Sequence, residues 1–403
     1  MSSEKLNLFF ENFLKNDSLF LDKKILQATY TPENIPHRED QIEQTANILA
    51  PCLKLEKPSN LFIYGQTGTG KTLTIKHTTD QIQKIAEQKN IPIKLIYINC
   101  KLKKNADTEY RLIAQLAREI GKEIPMTGLP TDEVYNIFFK SIDEKKQMLV
   151  LILDEIDQLV KKAGDELLYN LTRISSDLKN AQITLIGISN DLVFTNNLDP
   201  RIKSSLSEEE IIFPPYNALQ LKDILMQRAK QAFKPNTLSE GVIEKCAAYA
   251  AREHGDARRA LELLRVAGEL AERSNRIKVT IADIDLAEEK IERDRMMDLV
   301  QTQPKQFQAL LFSVMQICEK KKTVVFTGET YELYKKNCKI VGLRPLTQRR
   351  ISDIIAEFDM LGIINAKPIS KGRYGRTREI TLSMQQSVET KIKDLLQREL
   401  GLV

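Results

Sequence analysis

Short apolar runs alternate with amphipathic stretches over the first half of the chain. Five runs have the length and composition of buried strands, at residues 61–64, 93–99, 148–153, 183–189 and 211–216. An unbroken apolar run is typical of a strand that is covered on both faces, as in a parallel sheet. Between the runs, apolar residues recur at helical spacing, as Leu112 and Leu116 do. Strands that alternate with helices predict an α/β fold with a mostly parallel sheet.

The pattern changes after residue 216. Helical stretches without strands follow at about 218–233, 239–252, 256–273 and 280–301. The last hundred residues predict three further helices and then two short strands around a basic segment, which is the winged-helix arrangement. The predicted domains are an α/β domain at 1–216, an all-α lid at 217–303 and a winged helix at 304–403.

Charge is distributed unevenly along a chain whose formal net charge is +5. From Pro304 onward there are 18 Lys and Arg against 10 Asp and Glu, whereas the preceding residues are slightly acidic. A basic region of this kind indicates a nucleic-acid surface, although a solvated basic face has the same composition.

The overall composition, with 42% hydrophobic and 29% charged residues, is that of a soluble globular protein. No apolar run approaches the ~20 residues of a membrane span, and the N-terminus has no signal-peptide pattern. The five cysteines are scattered without a CxxC pair, and the three histidines are too separated for a zinc site. We therefore expect a cytoplasmic protein without a membrane partner.

The most specific motif follows the first predicted strand. It is a complete phosphate loop, formed by Gly65, Gln66, Thr67, Gly68, Thr69, Gly70, Lys71 and Thr72. Its glycines let the backbone wrap a phosphate, and its amides offer partial positive charge. Lys71 would reach the β- and γ-phosphates, and the Thr72 hydroxyl would bind Mg²⁺. A chance glycine-rich turn is the alternative, but the flanking strand and helical segment favour a nucleotide site.

Polar residues end two of the later strands. Asp154 and Glu155 follow the run 148–153, at the carboxyl end of a strand, where doubly wound folds bind ligands. Asp154 would hold Mg²⁺ through water, and Glu155 would polarise the attacking water. Asn190 ends the next strand, where its amide would orient that water or simply begin a turn.

The order of these motifs resembles the archaeal origin-recognition/cell-division-cycle initiator family, whose members are AAA+ ATPases that mark replication origins. The resemblance extends from about Tyr30 over nearly the whole chain, and it includes Asp-Pro-Arg at 199–201 and Gly-Asp-Ala-Arg at 255–258. It implies an AAA+ P-loop NTPase core with ATP/ADP and Mg²⁺ as cofactors and weak hydrolysis used as a switch. The implied partners are double-stranded origin DNA, other initiator subunits and the replicative helicase. The implied location is nucleoid-associated within the cytoplasm.

The resemblance also assigns roles to single residues. The phosphate loop would be the Walker A site, and Asp154 and Glu155 the Walker B site. Asn190 resembles sensor 1, and Arg258 resembles sensor 2.

Three further residues match the family's motifs outside these sites. Tyr216 and Arg228 would lie at the nucleotide. Arg201 resembles the arginine finger that acts on the nucleotide of a neighbouring subunit.

The winged helix supplies the predicted DNA contacts. The outward face of its third helix carries Gln348, Arg349 and Arg350, which would enter the major groove. The residues of the wing that would reach phosphates or the minor groove are Lys371, Arg373, Tyr374 and Arg376. A winged helix used only for protein contacts is the alternative, but the Gly-spaced arginines and the local charge excess favour DNA.

Two other functions stay open from the sequence. A clamp-loader or branch-migration ATPase shares the core, and rapid, DNA-stimulated turnover by a stable oligomer would distinguish it. A transcriptional regulator that uses ATP as a ligand would bind promoters through the same winged helix.

Overall fold

The computed structural model describes residues 17–101, 108–125, 128–175, 178–194, 198–206, 208–321, 325–370, 376–384 and 386–402. The chain folds into two compact units, Met1–Ile284 and Asp285–Val403. None of the helices in these ranges is long and apolar enough to cross a membrane.

The first unit contains a five-stranded sheet. Its strands are β1 (Asn60–Gly65), β2 (Ile93–Asn99), β3 (Gln147–Asp154), β4 (Ala181–Ser189) and β5 (Glu208–Phe213). Their order is β2-β3-β4-β1-β5, and every neighbouring pair is parallel. Separate apolar clusters cover the two faces of the sheet, which explains the unbroken apolar runs. The predicted α/β fold with a parallel sheet is confirmed.

Helices connect the strands and then form the lid. They are α1 (Glu39–Leu49), α2 (Lys71–Gln88), α3 (Glu109–Glu119), α4 (Thr131–Asp143), α5 (Ile156–Ala163), α6 (Glu166–Ser175), α7 (Pro200–Leu206), α8 (Ala218–Ala232), α9 (Val242–Arg252), α10 (Ala257–Arg273) and α11 (Ile281–Gln301). The boundary between the two units falls within α11. Helices α8, α9 and α10 pack on one another and form the predicted all-α lid.

Two elements of the first unit differ from the prediction. Strand β5 begins at Glu208 instead of residue 211, because β1 pairs with it from Asn60 onward. As the edge strand, β5 leaves some side chains in solvent and so accepts glutamates. Helix α5 begins at Ile156, directly after the acidic pair, where no helix was predicted.

An N-terminal segment, residues 18–38, is called the strap below. Its first part is anchored on the lid, where Phe20 forms an isolated β-bridge with Phe233 and the two ring centroids lie 4.5 Å apart. Phe20 also covers Gly268, where a Cβ would lie 2.4 Å from its ring. Glu272 accepts hydrogen bonds from the same end of the strap. This anchoring was not predicted from the sequence.

The second unit is a winged helix. Its elements are α12 (Lys305–Lys321), β6 (Val325–Phe326), α13 (Thr327–Val341), α14 (Gln348–Met360), β7 (Ile364–Ser370), β8 (Arg376–Leu382) and α15 (Gln386–Glu399). The three strands form an antiparallel sheet in the order β6-β8-β7. Ile351, Ile354 and Phe358 of α14 are fully buried in its core. The predicted winged helix is confirmed, and α15 is an additional helix.

Candidate nucleotide site and nucleic-acid interface

A cavity of about 740 Å³ opens at the carboxyl edge of the sheet in the first unit. Its walls come from the phosphate loop, from the ends of β2, β3 and β4, from strap residues 27–36, and from α8 and α10 of the lid. This is the edge at which open parallel sheets bind their ligands. The volume is ordinary for a small-molecule or cofactor site.

The phosphate loop holds Lys71 at the base of the cavity. Its Nζ donates to the carbonyl oxygens of Gly65 and Gln66, both at 2.7 Å, and to Asn190 Oδ1 at 2.9 Å. Gly68 and Gly70 have φ values of 72° and 92°, in the left-handed region that glycine adopts readily. Burial lowers the pKa of the Lys71 ammonium to about 8, and Asp154 only partly offsets this effect.

The acidic pair lies beside the loop. Thr72 Oγ1 donates to Asp154 Oδ2 at 2.9 Å, and the backbone amide of Glu155 donates to Asp154 Oδ1 at 3.0 Å. Glu155 has φ 57° and ψ 45°, a left-handed conformation that is strained for a residue with a side chain and that occurs mainly at functional sites. Its carboxylate lies 3.7 Å from Lys101 Nζ.

The pairing of Thr72 with Asp154 provides a test of fit for Mg²⁺. Because the Thr72 proton points to Asp154, the lone pairs of Oγ1 remain available as metal ligands. Mg²⁺ in nucleotide sites binds one or two protein oxygens and takes its other ligands from phosphates and water. No group of three or more His, Cys, Asp or Glu side chains in the described ranges is arranged to hold a metal alone. These residues therefore fit a magnesium ion that arrives with a nucleotide.

The lid contacts the phosphate loop directly. The first amide of α10, that of Ala257, donates to the Gly68 carbonyl at 3.2 Å. Asp256 caps α10 by accepting from the Arg258 amide at 2.7 Å, and its carboxylate packs on the Cα of Gly68. The Arg258 side chain is exposed and lines the cavity. The start of α10 thus lies on the phosphate loop.

A second arginine of the lid lies at the far wall of the cavity. The Arg228 guanidinium lies over the Tyr30 ring, 4.5 Å from its centroid. Its Nη1 is buried and has no hydrogen-bond partner among the residues that the structure describes, and burial lowers the pKa of the Arg228 guanidinium. An unpartnered buried donor on the cavity wall suits an acceptor supplied by a ligand.

The exposed first turn of α14 is the candidate nucleic-acid interface in the second unit. Thr347 caps this helix by accepting from the Arg350 amide, and Gln348, Arg349 and Arg350 are exposed. Arg350 Nη1 pairs with Glu357 at 3.2 Å. No hydrogen-bond or ion-pair partner is found for the Arg349 side chain in the part of the chain that the structure describes. Arg349 is therefore the most available cation of this turn.

The predicted wing contacts fall outside what the structure describes. Lys371, Arg373 and Tyr374 lie in the undescribed segment 371–375. Arg376 begins β8, but its side chain is not described either.

Comparison with known proteins matches three family models to successive parts of the chain. They are an AAA domain over residues 55–193, a Cdc6 AAA+ ATPase-type lid domain over 222–289 and a CDC6 C-terminal winged helix domain over 298–391. The ORC1-type DNA replication protein of Pyrococcus abyssi is 54% identical over 383 residues, which are 94% of this chain and 91% of the relative. The chain belongs to the family of ORC1-type DNA replication proteins.

Further relatives of this family are similar over most of their length. The ORC1-type DNA replication protein 1 of Methanosarcina mazei is 49% identical over 399 residues, covering 98% of this chain and 95% of the relative. The structure of the Aeropyrum pernix ORC1 protein in complex with DNA superposes with a TM-score of 0.83 at 42% identity, covering 95% and 99% of the two chains.

The structure gathers most of the predicted nucleotide residues around one cavity. Those that line it are Thr67, Gly68, Thr69, Gly70, Lys71, Thr72, Asp154, Glu155, Asn190, Tyr216, Arg228 and Arg258. Gly65 and Gln66 complete the loop as acceptors for Lys71. Arg201 lies apart from the cavity, with its side chain 86% exposed and paired with Asp199 at 3.2 Å.

Arg38, which was not predicted as a site residue from the sequence, is only 2% exposed. Its guanidinium donates to the carbonyl oxygens of Thr69 at 2.8 Å, Pro214 at 2.6 Å and His37 at 3.0 Å. It also stacks on the Tyr216 ring, 3.9 Å from the centroid. Burial lowers its pKa. The only sequence signal is that Arg38 follows Pro32 and Pro36 in a segment upstream of the phosphate loop.

The pKa of Lys71 predicts a pH dependence of nucleotide binding. Below about pH 8 the free lysine is already protonated, so binding should be independent of its titration. Above that pH, an anionic phosphate must bind together with a proton, and ADP affinity should fall by about tenfold per pH unit. Isothermal calorimetry of ADP binding from pH 7 to 10 measures this slope. The variant Lys71→Arg, which stays charged, should have lost the slope; the same fall in both proteins would contradict the assignment.

The contacts of Arg38 predict a loss of stability in Arg38→Lys. Lysine keeps the charge but not the planar fork, so buried carbonyl groups lose their donors. We expect the free energy of unfolding to fall by about 2–4 kcal/mol and ADP binding to weaken, as measured by urea denaturation and ADP titration. Arg201→Lys is the matched control, because Arg201 is exposed. Equal stability of the two variants would show that the Arg38 contacts are not needed.

Proposed function

We propose that the chain is a replication initiator that binds origin DNA and uses ATP and ADP as a switch. The observation that carries this proposal is the contact between α10 of the lid and the phosphate loop at Gly68. A nucleotide held by this loop lies between the sheet and the lid, so its phosphates contact both of them. Membership of the ORC1-type family supports the role in replication.

The residues around the cavity have separate roles in nucleotide binding and in hydrolysis. Lys71 binds the β- and γ-phosphates, and Thr72 with Asp154 holds Mg²⁺, which neutralises charge on the phosphates. Glu155 accepts a proton from the attacking water, which Asn190 orients through its amide. The hydrogen bond from Lys71 to Asn190 supports this arrangement, because it keeps the amide at the phosphate end of the cavity.

Three arginines complete the proposed nucleotide response. Arg258 reaches the γ-phosphate from the lid. A cation in the first turn of a helix is otherwise unfavourable, because the helix N-terminus carries partial positive charge, and a bound phosphate explains its presence in α10. Arg228 contacts the nucleotide at the far wall. Arg201 acts on the nucleotide of a neighbouring initiator subunit, and its exposure supports a role outside its own cavity.

We propose weak hydrolysis, in which the bound state matters more than turnover. The ATP-bound and ADP-bound forms then differ in how firmly the lid is held on the phosphate loop, which shifts the population of two conformations. In the DNA-competent state the protein helps to recruit or load the replicative helicase.

DNA binding is assigned to the winged helix. The first turn of α14 enters the major groove with Gln348 and Arg349, and the basic wing at 371–376 contacts the backbone or minor groove. The Aeropyrum pernix relative is described in complex with DNA, which supports this role. Because phosphate contacts dominate, affinity should fall steeply with salt.

We also propose three functional domains, at 1–216, 217–303 and 304–403. The three family models support this division. Each model matches within one of the three domains, except that the winged-helix model begins a few residues before residue 304.

Replacing Glu155 should separate binding from hydrolysis. Glu155→Gln keeps the shape but cannot accept a proton, so ATP affinity should change little while single-turnover hydrolysis falls by about 100-fold or more. Lys71→Ala should instead abolish nucleotide binding. Glu144→Gln, which changes an exposed carboxylate paired with Lys122, is the control and should hydrolyse ATP at the parental rate. Hydrolysis by the Glu155 variant at that rate would exclude Glu155 as the base.

Mapping of the DNA that the protein binds in its native cells tests the initiator function. We expect enrichment at replication start sites, lost when Arg349 and Arg373 are both changed to Ala, because major-groove and wing contacts are removed together. Arg398→Ala, which removes an exposed charge from α15, should keep the enrichment. Enrichment mainly at promoters, with replication timing unchanged in the double variant, would instead make the protein a transcriptional regulator.

A further inference from the structure

Tyr97 on the edge strand β2 contacts the acidic pair. Its register partner on the parallel strand β3 is Ile152, so Tyr97 and Asp154 are diagonal neighbours on one face of the sheet. Tyr97 Oη donates to Asp154 Oδ2 at 2.6 Å. This distance is in the range of strong hydrogen bonds between a hydroxyl and a carboxylate. The contact joins the edge strand to the site where Mg²⁺ is expected.

The acceptor positions of Asp154 are nearly filled in this arrangement. Oδ2 accepts from both Tyr97 and Thr72, and Oδ1 accepts from the Glu155 amide. A carboxylate offers about four lone-pair positions, so about one remains, on Oδ1. The rotamer of Asp154 is thereby fixed by donors on three different segments of the chain. Thr72 in turn has its only proton directed at Oδ2, which orients its lone pairs away from Asp154.

The Tyr97 ring is itself held in place. Lys76, one turn after Thr72 on α2, places its Nζ 4.2 Å from the ring centroid. Tyr97 is 37% exposed, and its hydrogen bond to Asp154 is partly buried. The contact of the ring with Lys76 does not involve the hydroxyl, so the hydrogen bond to Asp154 is a separate interaction.

We propose that Tyr97 is a positioning residue for magnesium binding. Its hydroxyl holds the Asp154 carboxylate in one rotamer. In that rotamer the carboxylate accepts the hydroxyl proton of Thr72, and the lone pairs of the Thr72 oxygen face the metal. Tyr97 does not bind the metal itself. The inference rests on the proposed nucleotide site and deepens its metal-binding part.

The test is the variant Tyr97→Phe, which removes one hydroxyl and keeps the ring against Lys76. Binding of a fluorescent N-methylanthraniloyl ADP to the full chain is measured in EDTA and across a Mg²⁺ titration. We expect an unchanged Kd for the ADP analogue in EDTA. The Mg²⁺ concentration that gives half of the maximal enhancement of ADP binding should rise about tenfold, as is usual when a group that supports a metal ligand is removed. Thr72→Ala should have lost most of the enhancement.

Tyr110→Phe is the matched control. It removes a hydroxyl that donates to the Pro125 carbonyl at 2.9 Å, outside the cavity, and its Mg²⁺ titration should superpose on that of the unchanged protein. A superposing titration for Tyr97→Phe would overturn the inference. So would an equal loss of ADP affinity with and without Mg²⁺, because that loss would be general to the site.

Failure of the underlying nucleotide proposal gives a different result. If the unchanged protein neither binds the ADP analogue nor responds to Mg²⁺, the proposed switch is wrong. If it responds to Mg²⁺ and Tyr97→Phe responds equally, only the role of Tyr97 is wrong.

Discussion

The buried guanidinium of Arg38 is the interaction on which the nucleotide cavity depends. It donates to backbone carbonyls of the phosphate loop at Thr69, of the segment after β5 at Pro214, and of the strap itself. Tyr216 covers its face. A charge removed from water is tolerated only when its donors are satisfied, so these segments cannot separate without a large cost. The phosphate loop is thus held by a residue that does not itself line the cavity.

The strap extends this constraint to the lid. From Arg38 it follows the cavity wall to Phe20, which packs on Phe233 and Gly268 of the lid. One short segment is therefore fixed to the sheet at one end and to the lid at the other, with the cavity between. The contact of α10 with Gly68 joins the same two parts from the opposite side. The phosphate loop, the strap and the lid all line the cavity, and this arrangement supports the proposed switch through the lid.

The two candidate sites are assembled in different ways. In the nucleotide site, Lys71 meets Asn190 and Thr72 meets Asp154 across more than 80 positions of sequence, because parallel strands end at a common edge. The turn that carries Arg349 is local instead: a threonine cap and a buried apolar face place its cations outward. The nucleotide site therefore requires the whole sheet, whereas the nucleic-acid surface requires one helix packed on a small core.

The sequence predicted the five strands, the phosphate loop, the acidic strand end and the winged helix, because the spacing of apolar residues and short motifs are local properties. It did not predict the start of β5 at Glu208. The strand begins with polar residues, which an edge strand can expose to solvent, and their backbone pairs with β1. The contacts of Arg38 and Tyr97 became visible only in the tertiary structure. An arginine before a helix and a tyrosine in a strand are ordinary in sequence, and their partners at Thr69 and Asp154 become neighbours only when the sheet, loop and strap are packed together.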